Sequence, residues 1–279
     1  MEDNKISLVV ATYNSAEMLK RSLRENLKTG FAAIIIVDGG STDSTKDEVK
    51  RFQNANPGII TFYQIPLKGL ANARNFGNSK INTEFTVHAG PDNIISSETI
   101  EIMMDDLNKY DLVSCQTRRE NASGYLGKAH NIYKKRYMPG LQTVAGTPYV
   151  GKTQLFQKFA FNERMRNSDD TELGQRLLDA GKTIFRSRAI CLEIGFEGFK
   201  DIVERWIRWG RGDGLFYCTQ KTRWSFRRKL YSWAHPLKAE ILDSFKSVTL
   251  PEFIYITPFL LIVLSLRYFG WIRFVITGK

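Results

Sequence analysis

The sequence predicts an α/β fold: an open sheet of largely parallel strands with helices on its faces, followed by a helical C-terminal extension of different chemistry. Three observations carry this. Residues 6–11 (ISLVVA) and 34–37 (IIIV) are short, β-branched-rich apolar runs, apolar on both faces as central strands between two helix layers must be. Between them Met18, Leu19, Leu23 and Leu27 fall at helical spacing, and strand, helix, strand in about thirty residues implies a right-handed βαβ unit. All five tryptophans (206, 209, 224, 233 and 271) lie in the last eighty or so residues, interleaved with Arg and Lys ahead of an almost wholly apolar run at 253–266.

The composition sets outer bounds. With 279 residues, 43% of them hydrophobic and 25% charged, the chain is globular and able to bury a large core. A formal charge of +11 and a pI near 9.5 suit nucleic acid, an anionic membrane or phosphorylated small molecules equally well. Cys115, Cys191 and Cys218 are scattered without C-x-x-C spacing, which excludes a disulfide framework and a zinc site and fits a reducing cytosolic setting. The polar, acidic N-terminus running straight into a strand predicts no signal peptide. His88, His130 and His235 stand apart in sequence and read as solvated or core histidines rather than metal ligands.

Taken in order, the first strand ends at Ala11, Thr12 and Tyr13, and Ser15 begins a helix that Gly30 closes. The second strand ends at Asp38, where an acid at a carboxyl strand tip can receive a base N–H or ribose hydroxyls. Gly39 and Gly40 turn the chain, Ser41 or Thr42 caps the next helix, and Asp43 suits its first turn. Tyr13 beside Asp38 can stack on a base, or simply plug its loop. A helix to about residue 54 and a strand at 59–64 precede KGLANARNFGNSK, which carries Lys68, Arg74 and Asn75 towards the same sheet end. There cations would meet phosphate oxygens; solvated helix charges are the alternative. The strand at 84–88 runs into AGPDN, a tight turn presenting Asp92 and Asn93. Asp92 can reach a divalent ion held by a substrate's phosphates, or the turn has no function.

Together ISLVVATYN, IIIVDGGSTDST, GLANARN and the PDN turn resemble, in order and spacing, the inverting family-2 glycosyltransferases of GT-A fold, a Rossmann-like mixed sheet flanked by helices. The resemblance covers about residues 6–195. It implies that Ala11, Tyr13 and Asp38 line the nucleotide site with Lys68 and Arg74, and that an Asp-x-Asp motif after the fourth strand binds ribose and the metal. Gly90 replaces the first acid of that motif, leaving Asp92 as the contact for Mn²⁺ or Mg²⁺.

Beyond Ser96 a helix through Ile100, Met103 and Leu107 leads to a strand at 111–116, and 117–149 reads as an irregular, acceptor-facing insertion. In NSDDTELGQRLLDAGKTIF, Ser168 is expected to cap a helix that Gly181 ends. Asp169 and Asp170 fall in its first turn, where acidic capping alone would explain them. DDTEL also resembles the family's Glu-Asp motif, whose second acid, here Asp170, is the catalytic base. RWIRWGRGDG places Arg205, Arg208 and Arg211 on a helix until Gly210, Gly212 and Gly214 loosen it. Arg208 and Arg211 can clamp a leaving diphosphate, or sit on a basic surface helix. The run 253–266 reaches only about 21 Å as a helix, short of a roughly 30 Å hydrocarbon core. Extension to 276 would put Arg267, and with it Arg273, in lipid, so an in-plane or re-entrant hairpin is expected over a span.

The reading is a GT-A domain at 1–198 (1–95 for the nucleotide, 96–198 for the acceptor) and a basic, Trp-rich extension at 199–279 with a membrane-associated segment at about 251–276. The expected activity is metal-assisted, inverting transfer of a sugar from a nucleotide-diphosphate sugar to a lipid-linked or surface glycan. The expected place is the cytoplasmic face of a membrane, with no nucleic-acid partner. The alternative is a catalytically degenerate module that organises partners there.

Overall fold

The computed structural model describes residues 5–66, 69–165, 168–195 and 198–278. In chain order the elements are β1 (Ile6–Thr12), α1 (Ala16–Asn26), β2 (Ala33–Asp38), α2 (Thr45–Ala55), β3 (Ile60–Gln64), α3 (Leu70–Asn78), β4 (Phe85–Ala89) and β5 (Asn93–Ile94). There follow α4 (Ser97–Leu107), β6 (Leu112–Arg119), α5 (Gly124–Lys134), β7 (Gly140–Leu141), β8 (Tyr149–Lys152), α6 (Thr153–Lys158), α7 (Asp169–Asp179) and β9 (Ile184–Glu193). The chain ends with α8 (Phe199–Gln220), α9 (Phe226–Leu237), a π-helical turn (Lys238–Leu242), α10 (Asp243–Ser247) and α11 (Leu250–Thr277). Two compact units result: Met1–Arg118 with Pro139–Ile194, and Arg119–Met138 with Gly195–Lys279.

The first unit is built on a mixed sheet of order β3-β2-β1-β4-β8-β6-β9-β5, with β7 on β9. The strands β1 to β4 are parallel, and β8 runs antiparallel to β4. Side chains alternate between the faces of a strand, so runs apolar at every position serve two cores at once. Leu8, Val10, Ile34 and Ile36 pack with Leu19, Leu23, Ile100 and Met103 on one face. Val9, Ile35 and Val37 pack with Ala73 and Ile81 on the other. The register sets Thr12 beside Asp38 and Val10 beside Ala89, so three neighbouring parallel strands end together. The expected cap of α2 by Ser41 or Thr42 is not made. Asp43, just outside the helix, instead accepts from the backbone and hydroxyl of Thr45 (3.0 and 2.6 Å) and from the Ala16 amide (3.3 Å).

The second unit is helical. It takes in α5 from a stretch expected to be irregular, because Ala129 and Tyr133 are drawn into a core with Ile202, Trp206, Phe259 and Val263. The glycines of α8 do not loosen it: α8 runs unbroken for 22 residues. Their role is close approach. A Cβ on Gly210 would lie 2.0 Å from the Arg267 carbonyl oxygen, and one on Gly270 would lie 2.2 Å from that of Ile207, so α8 and α11 touch backbone to backbone. Trp206 and Trp271 are buried here, and only Trp233 is largely exposed among the tryptophans of the final part.

No re-entrant hairpin forms at the C-terminus; α11 is one helix of 28 residues. It passes Pro258 because the Tyr125 hydroxyl enters the backbone ladder there, donating to the Tyr255 carbonyl (3.1 Å) and accepting from the Phe259 amide (3.2 Å). Nor does Arg267 face outward: it is buried, bonded to Asp213 (2.7 Å) and Glu240 (2.5 Å).

Candidate active site

The tips of β1 and β2 are laced together by short polar side chains. The Asp38 carboxylate is fully buried. It accepts from the Ser41 amide (3.2 and 3.0 Å), the Ser41 hydroxyl and the Gln64 amide (3.0 Å). The Ser41 hydroxyl in turn accepts from the Asn14 amide (2.8 Å), and Asn14 Oδ1 accepts from the Thr42 amide (2.8 Å). Asn14 adopts φ 47°, a left-handed conformation that asparagine tolerates. Tyr13, carried on this laced corner, is 44% exposed, leaving its ring open to a flat ligand. Ala11 is packed in the sheet among Val9, Ile35 and Val37 and offers no side chain to a ligand.

Beyond β4 the Gly90 amide donates to Asn93 Oδ1 (2.8 Å). A Cβ on Gly90 would lie 2.6 Å from Asp92 Oδ1. The glycine thus gives Asp92 the room that a side chain at position 90 would take. Among the described residues no three His, Cys, Asp or Glu side chains gather as a metal site. A single carboxylate oxygen fits Mg²⁺ or Mn²⁺ held mostly by substrate phosphates and water, not an all-protein cage.

The third component joins α3 to the start of α7. The Arg74 guanidinium is buried and donates to Asp169 Oδ2 at 2.6 Å. It lies 5.3 Å from the Phe161 ring centre and 5.8 Å from that of Tyr149. The Asn75 side chain donates to the Phe161 carbonyl (2.9 Å) and accepts from the Phe161 amide (2.8 Å), and Asn72 and Asn75 both donate to Glu163 (3.1 Å each). The contacts that the Arg74 and Asn75 side chains make are with Asp169, Phe161 and Glu163. They hold the segment leading to α7 and lock Asp169. The hydroxyl of Ser168 makes no cap bond, and the acids themselves occupy the first turn.

Asp170 differs from Asp169. It is half-buried and accepts from the Thr171 amide at 2.8 Å. Burial, and then the adjacent Asp169 charge, push its carboxyl up to about 6, with Arg74 opposing. Burial, helped by the Arg74 charge, holds His88 well below the usual imidazole range, so it is neutral. The raised acid is poised to exchange a proton near neutral pH.

Arg208 and Arg211 lie on α8 of the second unit, Arg208 exposed and Arg211 half-buried. Lys68 lies outside the described residues. Sequence reasoning missed Asn72, Glu163 and Gln64. The first sits inside the GLANARN segment and was legible there, whereas the other two are distant in sequence from the groups they hold.

Comparison with known proteins gives the site a context. Residues 7–165 match the family described as glycosyl transferase family 2. The glycosyltransferase GlyG of Streptococcus pneumoniae serotype 4 is 29% identical over 108 residues, 38% of this chain and 36% of the relative. The match thus spans about a third of that relative's length. Among solved structures, the mannosyltransferase PcManGT of Pyrobaculum calidifontis, in complex with GDP-Man and Mn²⁺, superposes with a TM-score of 0.68 at 16% identity, covering 99% of this chain and 88% of the other. Residues 1–349 of S. aureus TarS, in complex with UDP-GlcNAc, give 0.50 at 17% identity, covering 98% and 91%. At these identities the superpositions speak for the fold, a GT-A-type mixed sheet flanked by helices.

Proposed function

The chain belongs to glycosyl transferase family 2, and from that membership we propose that it transfers a sugar from a nucleotide-diphosphate sugar to an acceptor hydroxyl with inversion, Asp170 acting as general base. The observation that carries this reading is the asymmetry of the acid pair. Asp169 is paired with Arg74, while Asp170 makes no such ion pair among the described residues and its carboxyl is raised to about 6, close to the working range of a base. As Asp170 takes the acceptor's proton, the acceptor oxygen bonds to the anomeric carbon and the bond from that carbon to the diphosphate oxygen breaks. The nucleoside diphosphate leaves on the opposite face. Asp38 and Tyr13 hold the nucleoside, the acid through whatever acceptor capacity Ser41 and Gln64 leave free and the tyrosine by stacking.

Asp92 would hold the divalent ion, which when bound neutralises charge on the leaving diphosphate. PcManGT is seen with GDP-Man and Mn²⁺ and TarS with UDP-GlcNAc, which supports a nucleotide-sugar as the donor class. A lipid-linked or surface glycan is the acceptor class, because the basic, apolar second unit suits work at the cytoplasmic face of a membrane. A second reading, a silent scaffold module, is favoured only by Gly90.

Two measurements test this. Thermal stabilisation by UDP, GDP or CDP that grows with Mn²⁺ supports the donor site; no shift with any of them favours the scaffold. Replacement Asp170→Asn should abolish transfer while the nucleotide-induced shift survives, and retained turnover would remove Asp170 from its role.

A further inference from the structure

The exposed surface of the second unit is arranged differently from its sequence average. On α11, Leu250, Ile254, Leu261, Phe269, Ile272 and Ile276 are all exposed. Their spacing of three, four, seven and eight residues puts them on one stripe, about 39 Å long at 1.5 Å per residue. Pro258 and Ser265 fill the gaps in that stripe, and Arg273, exposed at its edge, is the one exposed charge on the helix. The other side of α11 is buried from residue 256 to residue 271, through Ile256, Phe259, Val263, Arg267, Gly270 and Trp271. The helix has one free face, not a free circumference.

A second stripe lies on α9. Phe226, Leu230, Trp233 and Leu237, at i, i+4, i+7 and i+11, are exposed by 79%, 54%, 53% and 44%. The two helices meet there: the Tyr268 hydroxyl donates to the Trp233 carbonyl (3.0 Å), and the two rings lie 6.1 Å apart, next to Phe269. Residues 221–229, KTRWSFRRK, bring five cations and no acid to the start of α9. A water-facing helix would put its charges, not Phe and Trp, on the open side. A protein partner alone would not call for so uniform a positive charge beside the apolar face, whereas an anionic leaflet matches both.

The same geometry argues against crossing the bilayer. The neighbour α8, in backbone contact with α11 at Gly210 and Gly270, exposes Lys200, Glu204 and Arg208. A spanning α11 would carry these into hydrocarbon, where unpaired charges are costly.

We propose that α9 and α11 form a monotopic membrane-binding face, the two stripes immersed side by side in an anionic leaflet with the 221–229 cations on its headgroups and no segment of α11 crossing. This rests on the membrane partner named above, but not on the assignment of Asp170 or of the donor. The occupant is lipid, and a second copy of the chain is the competing cover.

The test uses the full chain, flotation with phosphatidylcholine vesicles with and without phosphatidylglycerol, and alkaline carbonate extraction of membranes from expressing cells. The wild type should float with the anionic vesicles, bind less at high salt, and be released by carbonate. Leu230→Glu with Leu261→Glu, both at exposed positions, should lower the bound fraction roughly tenfold or more, while the melting temperature and nucleotide-induced shift stay as in the wild type. Carbonate resistance would overturn the in-plane mode while leaving membrane association intact. Flotation unaffected by the double variant would overturn the face. Absence of flotation, together with a dimer that the variant dissociates, would overturn the lipid occupant in favour of a second copy.

Discussion

In the first unit Val, Ile and Leu fill both faces of the sheet and the carboxylates of Asp38 and Asp92 sit at the strand ends. In the second unit Glu240, Arg136 and Arg267 lie inside, with Phe226, Leu250 and Ile276 outside. The first pattern is that of a water-soluble α/β core with a polar working edge. The second keeps its charges in the interior as a network: Glu240 accepts from Arg267 (2.5 Å), Arg136 (2.9 Å) and the Tyr133 hydroxyl (2.7 Å). Burial alone would raise the Glu240 carboxyl, and the two arginines outweigh it and hold it below the usual range. The contrast teaches that apolar content says little until its direction is known.

The largest effect is expected in the first unit. Asp170→Asn should reduce turnover by about 10²–10⁴-fold or more, the usual worth of a general base. The same change should stabilise the fold at neutral pH. The carboxyl titrates at about 6 in the folded chain against 3.8 for an unperturbed aspartate. Between those values the folded state holds more protons, so stability falls as pH rises through that window and stays lower above it. A melting curve of the variant above the wild type at pH 7.5, converging with it near pH 4, checks the sign.

The matching break in the second unit is Glu240→Ala. Two buried guanidinium groups would lose their shared carboxylate, a loss of about 3–5 kcal/mol when a buried pair is opened. Denaturant unfolding should show it, with vesicle flotation lost alongside. The depressed Glu240 carboxyl also implies that this unit's stability is present at neutral pH and declines as pH falls below the usual carboxylate range.

A finer cut separates the two neighbouring acids. Asp169→Asn removes the charge that helps to raise Asp170 and leaves the Arg74 charge that lowers it. The acid limb of the pH–rate profile should then move to lower pH, with a smaller loss of turnover than in Asp170→Asn. An unmoved limb would show that burial alone sets the Asp170 carboxyl.

What could be read in advance follows from the range of the interactions. The strands β1 to β4, the helix after Ser96 and the acids at 169 and 170 were legible because apolar period and strand-tip chemistry are local. The roles of Arg74 and Asn75 were not, since their partners Asp169 and Phe161 lie 95 and 86 residues away. A cation near a strand end reads the same whether it meets a phosphate or a carboxylate. Likewise Gly210 reads as a helix weakener until the helix against it, bearing Gly270, is in place. Tyr125, which carries α11 past Pro258, sits 134 residues from the amide that donates to it.

The smallest effect probes whether the laced corner at Asp38 is a binding device or only a turn. The Ser41 hydroxyl both donates to Asp38 and accepts from Asn14, so it links the ends of β2 and β1. In Ser41→Ala the Ser41 amide and Gln64 still hold the carboxylate, and the lost hydrogen bond should cost only about 1 kcal/mol. If Asp38 contacts the nucleoside, that loosened corner should weaken nucleotide affinity by roughly fivefold while the ligand-free melting point shifts little, and Ser41→Thr should restore it. If instead the melting point drops and affinity is unchanged, Asp38 works only to close the turn, and recognition of the base falls to Tyr13.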